Sequence, residues 1–196
     1  MLSMKNLISG LFARRFRPVV LGLVVVGYLW FIGTHCSPYA SGADSSGYLN
    51  EARLLLDGQI SRPVPAIAGL PESEWDPMLQ QPLGFIPRVG LGGFIPTYPI
   101  GLPLHLALAS KLVGLDHAMV LVSLLCVVAS GFFTVALGRR LGLPLAWAVV
   151  GGGFLLLSPL FLLMVNQPMS DVPALAWVCA ACYFSVRARD HGGWAL

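Results

Sequence analysis

The chain has 196 residues, of which 56% are hydrophobic and 11% charged, and it carries a net charge of +3. Its mean hydropathy is +0.76, well above what a soluble domain carries. This composition predicts an integral membrane protein. It leaves no basic stripe and no zinc-ligand spacing with which to hold nucleic acid.

Lys5, Arg14, Arg15 and Arg17 precede an apolar run from Pro18 to about Thr34. The run is longer than a signal-peptide core and no small-x-small cleavage site follows it. A retained span over about 18–35 is expected, with its N-terminus in the cytoplasm by the positive-inside rule.

Residues 37–116 differ in kind. They hold seven of the nine acids and ten of the fifteen prolines, which predicts a large outer loop. Within it, Tyr48, Leu49, Ala52, Leu55 and Leu56 recur at helical spacing, and Gly58 stops the pattern. Asn50, Glu51, Arg53 and Asp57 fall on the other side, so this helix is expected to lie in the membrane interface with its apolar face down. From Ser61 to Thr97, prolines and glycines recur every few residues and predict an ordered but irregular loop. The stretch 99–114 reads either as a short span or as a helix along the surface.

Three further spans are expected at about 117–138, 144–165 and 172–186. If 99–114 does not cross, Arg139, Arg140, Arg187 and Arg189 join the N-terminal cations inside, which gives eight Lys and Arg inside against four outside. The positive-inside rule favours that topology. The expected fold class is thus an all-α membrane protein: about four transmembrane helices plus a large outer loop with juxtamembrane helices. In this topology Asp44 and Asp171, 127 positions apart, emerge on one membrane face.

Other features have plain readings. Cys179 and Cys182 lie in an apolar span with no His nearby, so small-residue packing is expected of them. Cys36 has no obvious partner. Gly151, Gly152 and Gly153 sit mid-span and permit close helix packing rather than phosphate binding. The four histidines show no metal spacing, and His105 is expected to pack as a hydrogen-bonded side chain. Glu72, Glu74, Trp75 and Asp76 read as a solvated acidic turn or as a sugar contact. Asp44 and Asp171 each read as a helix cap or as a functional carboxylate. Arg62 and Arg88 are candidate phosphate partners, since a guanidinium can hold phosphate through two bonds.

Three sets of residues together resemble the GT-C glycosyltransferases, in particular the protein O-mannosyltransferases and lipid A aminoarabinose transferases. The first is Asp44, Tyr48, Ala52 and Gly58. The second is Tyr98-Pro99-x-Gly101-x-Pro103, leading into a helix that ends at Val113-Gly114. The third is Gly138-Arg139-Arg140-Leu141-Gly142, a span ending at Leu157-Ser158-Pro159-Leu160-Phe161, and an outer turn bearing Asp171. The resemblance spans nearly the whole chain.

It implies transfer of a sugar from a polyprenyl-phosphate-linked donor to a lipid, glycan or protein acceptor at the bilayer's non-cytoplasmic face, in a bacterial inner membrane. It implies Asp44 as the catalytic acid of the first outer loop, acting as general base. It implies a substrate-binding set of Asp171, Tyr48, Arg62, Arg88 and Tyr98, with a divalent cation in those members that use one. Such enzymes have more spans than this sequence holds, so the chain is expected to be the truncated N-terminal part of one such module. The alternative is a non-catalytic membrane protein, a transporter subunit or assembly factor. Ion-coupled transporters place charges inside their spans, and residues 117–138, 144–165 and 172–186 contain no Asp, Glu, Lys or Arg.

Overall fold

The structure is a computed structural model that describes residues 4–64, 69, 71, 76–88 and 92–190. The chain divides into two units, residues 1–35 and 36–196. The described residues are mostly helical.

The first unit is one helix, α1 (Met4–His35). It includes the stretch 18–35 expected to span. Its last turn is closed by side chains: the Thr34 hydroxyl donates to the Trp30 carbonyl at 2.9 Å, and the His35 ring stacks on Phe31 with centroids 4.3 Å apart.

The second unit begins with α2 (Ala43–Leu56), which matches the expected amphipathic helix. Gly58, at φ +68°, reverses the chain so that Gln59 N–H bonds the Leu54 carbonyl at 2.8 Å. Only a residue without a Cβ adopts that backbone freely. One expectation for this helix fails. Glu51 does not share the solvent side with Arg53 and Asp57; it is 7% exposed.

The loop after α2 is more regular than its composition predicts. A single 3-10 turn (Pro77–Gln80) is capped by Asp76, whose carboxylate accepts from Met78 N–H at 2.8 Å. Glu72, Glu74 and Trp75 lie outside the described residues. Then β1 (Phe85–Pro87) pairs antiparallel with β2 (Phe94–Pro96) in the register Phe85 with Pro96, Ile86 with Ile95 and Pro87 with Phe94. Arg62 pairs with the other side of Phe94 through two backbone bonds of 2.9 and 2.7 Å. This hairpin corrects the irregular-loop reading and is a two-stranded addition to an otherwise helical chain among the described residues. It forms because Leu54, Phe85 and Phe94 bury together. The prolines sit at strand ends, where no ladder N–H is missed.

Four helices follow: α3 (Gly101–Val113), α4 (Leu115–Arg140), the pair α5 (Leu145–Leu156) and α6 (Pro159–Val165), and α7 (Asp171–Asp190). The α3 helix, at 13 residues, is about 20 Å long. A bilayer core takes about 30 Å. The α4 helix is central and packs against α3, α5 and α7. Met119, Val122, Ser123, Cys126, Val127 and Ser130 are buried along it at helical spacing. Gly152 of α5 lets the backbones close up: a Cβ there would come within 2.9 Å of Val135 Cγ2.

The expected single span over 144–165 is broken. The α5 and α6 axes meet at 58°. Pro159 has no N–H to continue the ladder, and the Ser158 hydroxyl starts a new helix by accepting from Phe161 N–H at 3.3 Å. Among the described residues, one helix, α4, is long and apolar enough to cross a membrane, or two if the bent pair counts as one span. The helix faces turned away from the packing are apolar as well: Leu125, Phe132, Phe154, Leu160, Trp177 and Phe184 are all more than half exposed.

Candidate functional site

Asp44 lies in the first turn of α2 but does not cap it. The N-cap is Gly42, and Ser45 supplies the cap side chain. Its hydroxyl oxygen accepts from Ser41 N–H at 2.9 Å and from Gly42 N–H at 3.0 Å. The capping reading of Asp44 is therefore corrected, and its carboxylate is left for other work. Oδ1 accepts a hydrogen bond from the Tyr98 hydroxyl at 2.5 Å. Among the described residues no donor reaches Oδ2, and Asp44 is exposed.

Two glycines set Tyr98 in place. A Cβ on Gly47 would fall inside contact distance of the Tyr98 ring. A Cβ on Gly84, at φ +81°, would lie 2.9 Å from the same ring. The ring therefore fits between α2 and the turn before β1 only because both positions lack side chains. Thr97 N–H bonds the Gly84 carbonyl at 3.0 Å and fixes the approach from the other end.

Tyr48 continues the connection. It is 6% exposed, and its ring lies 5.0 Å from that of Tyr98, tilted by 46°. Its hydroxyl lies 2.9 Å from the Ser170 hydroxyl, a hydrogen bond to the turn that precedes α7. Two more bonds tie the same segments: Ser41 hydroxyl to Gln167 Oε1 at 2.7 Å, and Ser37 N–H to the Asn166 carbonyl at 2.8 Å. The structure thus brings together Asp44, Tyr98, Tyr48 and the 166–171 turn. Asp171, next to Ser170, is the first residue of α7 and is exposed. Its side chain makes no hydrogen bond among the described residues.

The electrostatics follow from this geometry. The bond to Asp44 holds the Tyr98 hydroxyl above the ordinary tyrosine range, because ionising it would set two negative oxygens together. Burial pushes the Glu51 carboxyl up, and its Oε2 is buried without a hydrogen-bond partner. Asp44, Gly47, Tyr48 and Glu51 fall at i, i+3, i+4 and i+7, so the buried acid lies on the same stripe of α2 as the exposed one. Burial likewise raises the Cys36 thiol, which lies 3.5 Å from the Ser123 hydroxyl; this is the partner its sequence did not reveal.

Arg62 and Arg88 are placed elsewhere. Both belong to the hairpin: Arg62 pairs with Phe94, and Arg88 N–H bonds the Gly93 carbonyl at 2.8 Å. Arg62 lines a cleft beside Arg53 and Asp57. Asp44 and Arg53 are separated by about 14 Å along the axis of α2. The structure therefore links Tyr48, Tyr98 and the 166–171 turn to Asp44 and carries both arginines on the hairpin segment.

Ser170, Gly47, Gly84 and Glu51 are the site residues that sequence reasoning missed. Gly47 carried a signal: a glycine inside a helix costs about 1 kcal/mol relative to alanine, and a close neighbour is a standing reason for it. His105 behaves as expected. It accepts from Trp177 Nε1–H at 3.2 Å on Nε2, so Nδ1 carries the proton given to the Gly101 carbonyl at 2.6 Å.

Among the described residues, no group of three or more His, Cys, Asp or Glu side chains is placed to hold a metal ion. Asp44 and Asp171 by themselves do not make the six-oxygen shell a hard cation takes. No family model, curated protein or solved structure matches this chain.

Proposed function

We propose that the protein is a membrane glycosyltransferase of GT-C type. It moves a sugar from a polyprenyl-phosphate-linked donor to a lipid, glycan or protein acceptor on the non-cytoplasmic face of a bacterial inner membrane. The observation that carries this reading is the linkage of Asp44 to the 166–171 turn through Tyr98, Tyr48 and Ser170. Whatever way the chain lies in a bilayer, these bonds keep the two loops on one side of it. The apolar outer faces of α4, α5, α6 and α7 support burial in lipid.

On this reading Tyr98 is a positioning residue. Its hydroxyl occupies Oδ1 of Asp44 and turns Oδ2 toward an incoming acceptor. The acceptor hydroxyl donates to Oδ2, and its oxygen attacks the anomeric carbon from the face opposite the leaving group. The new C–O bond forms as the bond to the donor phosphate breaks. The acceptor proton passes to Asp44, polyprenyl phosphate departs with the electron pair, and the anomeric configuration inverts. On this reading Asp171, exposed at the start of α7, would hold a sugar hydroxyl, and Tyr48 ties its turn to the Asp44 end through Ser170.

The test is Asp44→Asn in lipid vesicles supplied with a radiolabelled polyprenyl-phosphate sugar and an acceptor extract. Asparagine preserves the size of the side chain and its bond to Tyr98 but removes the base. Transfer is expected to fall by about a hundredfold or more with insertion intact. A rate within a few-fold of wild type overturns the assignment.

A further inference from the structure

Beside the second half of α2 lies a cleft of about 430 Å³, separate from the Asp44 end. The turn at Gly58 creates it. By reversing the chain, that turn lets Gln59 to Arg62 run back alongside α2 and join the hairpin at Phe94. The floor is apolar, with Leu54 7% and Phe85 2% exposed. The rim is polar: Asn50, Arg53, Asp57, Gln59 and Arg62 all line it.

Among the described residues the charges of the rim find few partners. Arg53 gives one hydrogen bond, to Asn50 Oδ1 at 2.9 Å. Among the described residues the Arg62 guanidinium has no side-chain partner, and Asp57 forms no ion pair with either arginine. Two cations against one anion leave the cleft net positive, with unused donors on both guanidinium groups. An oxyanion accepts from such groups through two parallel bonds. The amides of Asn50 and Gln59 and the Asp57 carboxylate offer donors and acceptors to hydroxyls. Leu54 and Phe85 close the bottom, and the exposed Pro63 on the wall offers an apolar surface to the C–H face of a ring.

From this lining we infer a second ligand site, one that takes a sugar ring bearing a phosphate or a carboxylate. Its distance from Asp44 separates it from the point of transfer. If the glycosyltransferase reading holds, the cleft grips an anionic unit of the acceptor rather than the donor phosphate. The binding itself does not depend on that reading.

Isothermal titration calorimetry on the full chain in lipid nanodiscs tests it, with glucose 6-phosphate, glucuronate, glucose and inorganic phosphate as probes. Saturable binding of glucose 6-phosphate or glucuronate is expected, and which of the two binds identifies the anion. Arg62→Ala and Arg53→Ala are each expected to weaken it about tenfold. Arg62→Lys, which keeps the charge without the fork, weakens it less. Asp44→Asn leaves it unchanged, so this site and the transfer reaction fail separately. The inference is overturned if neither anionic sugar saturates. It is equally overturned if glucose or inorganic phosphate binds as tightly as they do, or if all three arginine variants titrate like wild type.

Discussion

Gly47→Ala probes the packing on which the Asp44 site rests. The added methyl group projects into the Tyr98 ring, and its third neighbour is the Gly84 Cα at 3.1 Å. The ring cannot back away freely, because Gly84 closes its other side and its hydroxyl is bonded to Asp44. Inserting a methyl group into a packed site costs about 1–3 kcal/mol. The same change inside a helix returns about 1 kcal/mol through the better propensity of alanine. The net is a loss of about 1 kcal/mol, or about 3 °C in melting temperature for a chain of this size. The assay is thermal unfolding in detergent by circular dichroism, run as a double-mutant cycle with Tyr98→Ala. With the ring gone, only the propensity gain remains, and Gly47→Ala becomes stabilising by about 1 kcal/mol. A coupling near zero, with alanine equally tolerated in both backgrounds, would refute the wedged-ring geometry.

Ser158→Ala removes the hydroxyl that starts α6 and is expected to cost about 1 kcal/mol, read in the same melting assay. Glu51→Gln tests the buried acid. Its folded pKa lies above the ordinary 4.5, so its favourable contribution is complete below that value and is lost as pH rises through the folded value. The glutamine variant should therefore melt with wild type at pH 4 and above it at pH 8; parallel curves at both would exclude a buried, ionising Glu51. Ultraviolet titration of tyrosinate, taken as wild type minus Tyr98→Phe, should place Tyr98 above the ordinary range. Asp44→Ala, which removes both the bond and the charge, should bring it down, since the bond to Asp44 is the largest cause of the rise. A Tyr98 curve unmoved by that substitution would separate the two residues.

The sequence showed most where one face of an element carries the pattern. The α2 helix was readable from apolar spacing and from Gly58, and α4 from its length of apolar residues. The bend at Ser158-Pro159 was missed because hydropathy runs unbroken across it, although Ser before Pro is a helix-start signal. The hairpin was missed because its strands have three residues each and end in proline, too short for any alternation to show. A repeat did mark it: Phe-Ile-Pro occurs at 85–87 and again at 94–96. Glu51 was misplaced because a polar residue on a helix was assigned to solvent, whereas its spacing from Asp44 and Tyr48 puts it on the stripe of the site.

What no local pattern carries is the meeting of Asp44 and Tyr98, 54 positions apart. Its cause is steric before it is chemical. Gly47 and Gly84 remove the two Cβ atoms that would keep α2 from the turn before β1. Tyr98 fills the gap, and its hydroxyl comes to Asp44 while the neighbouring Tyr48 reaches Ser170. A side chain at either glycine position would thus act on the carboxylate through the ring, without touching it. The site's integrity is accordingly expected to follow the size of the residues at 47 and 84 more closely than their polarity, since nothing polar at those positions takes part in the bond it would break.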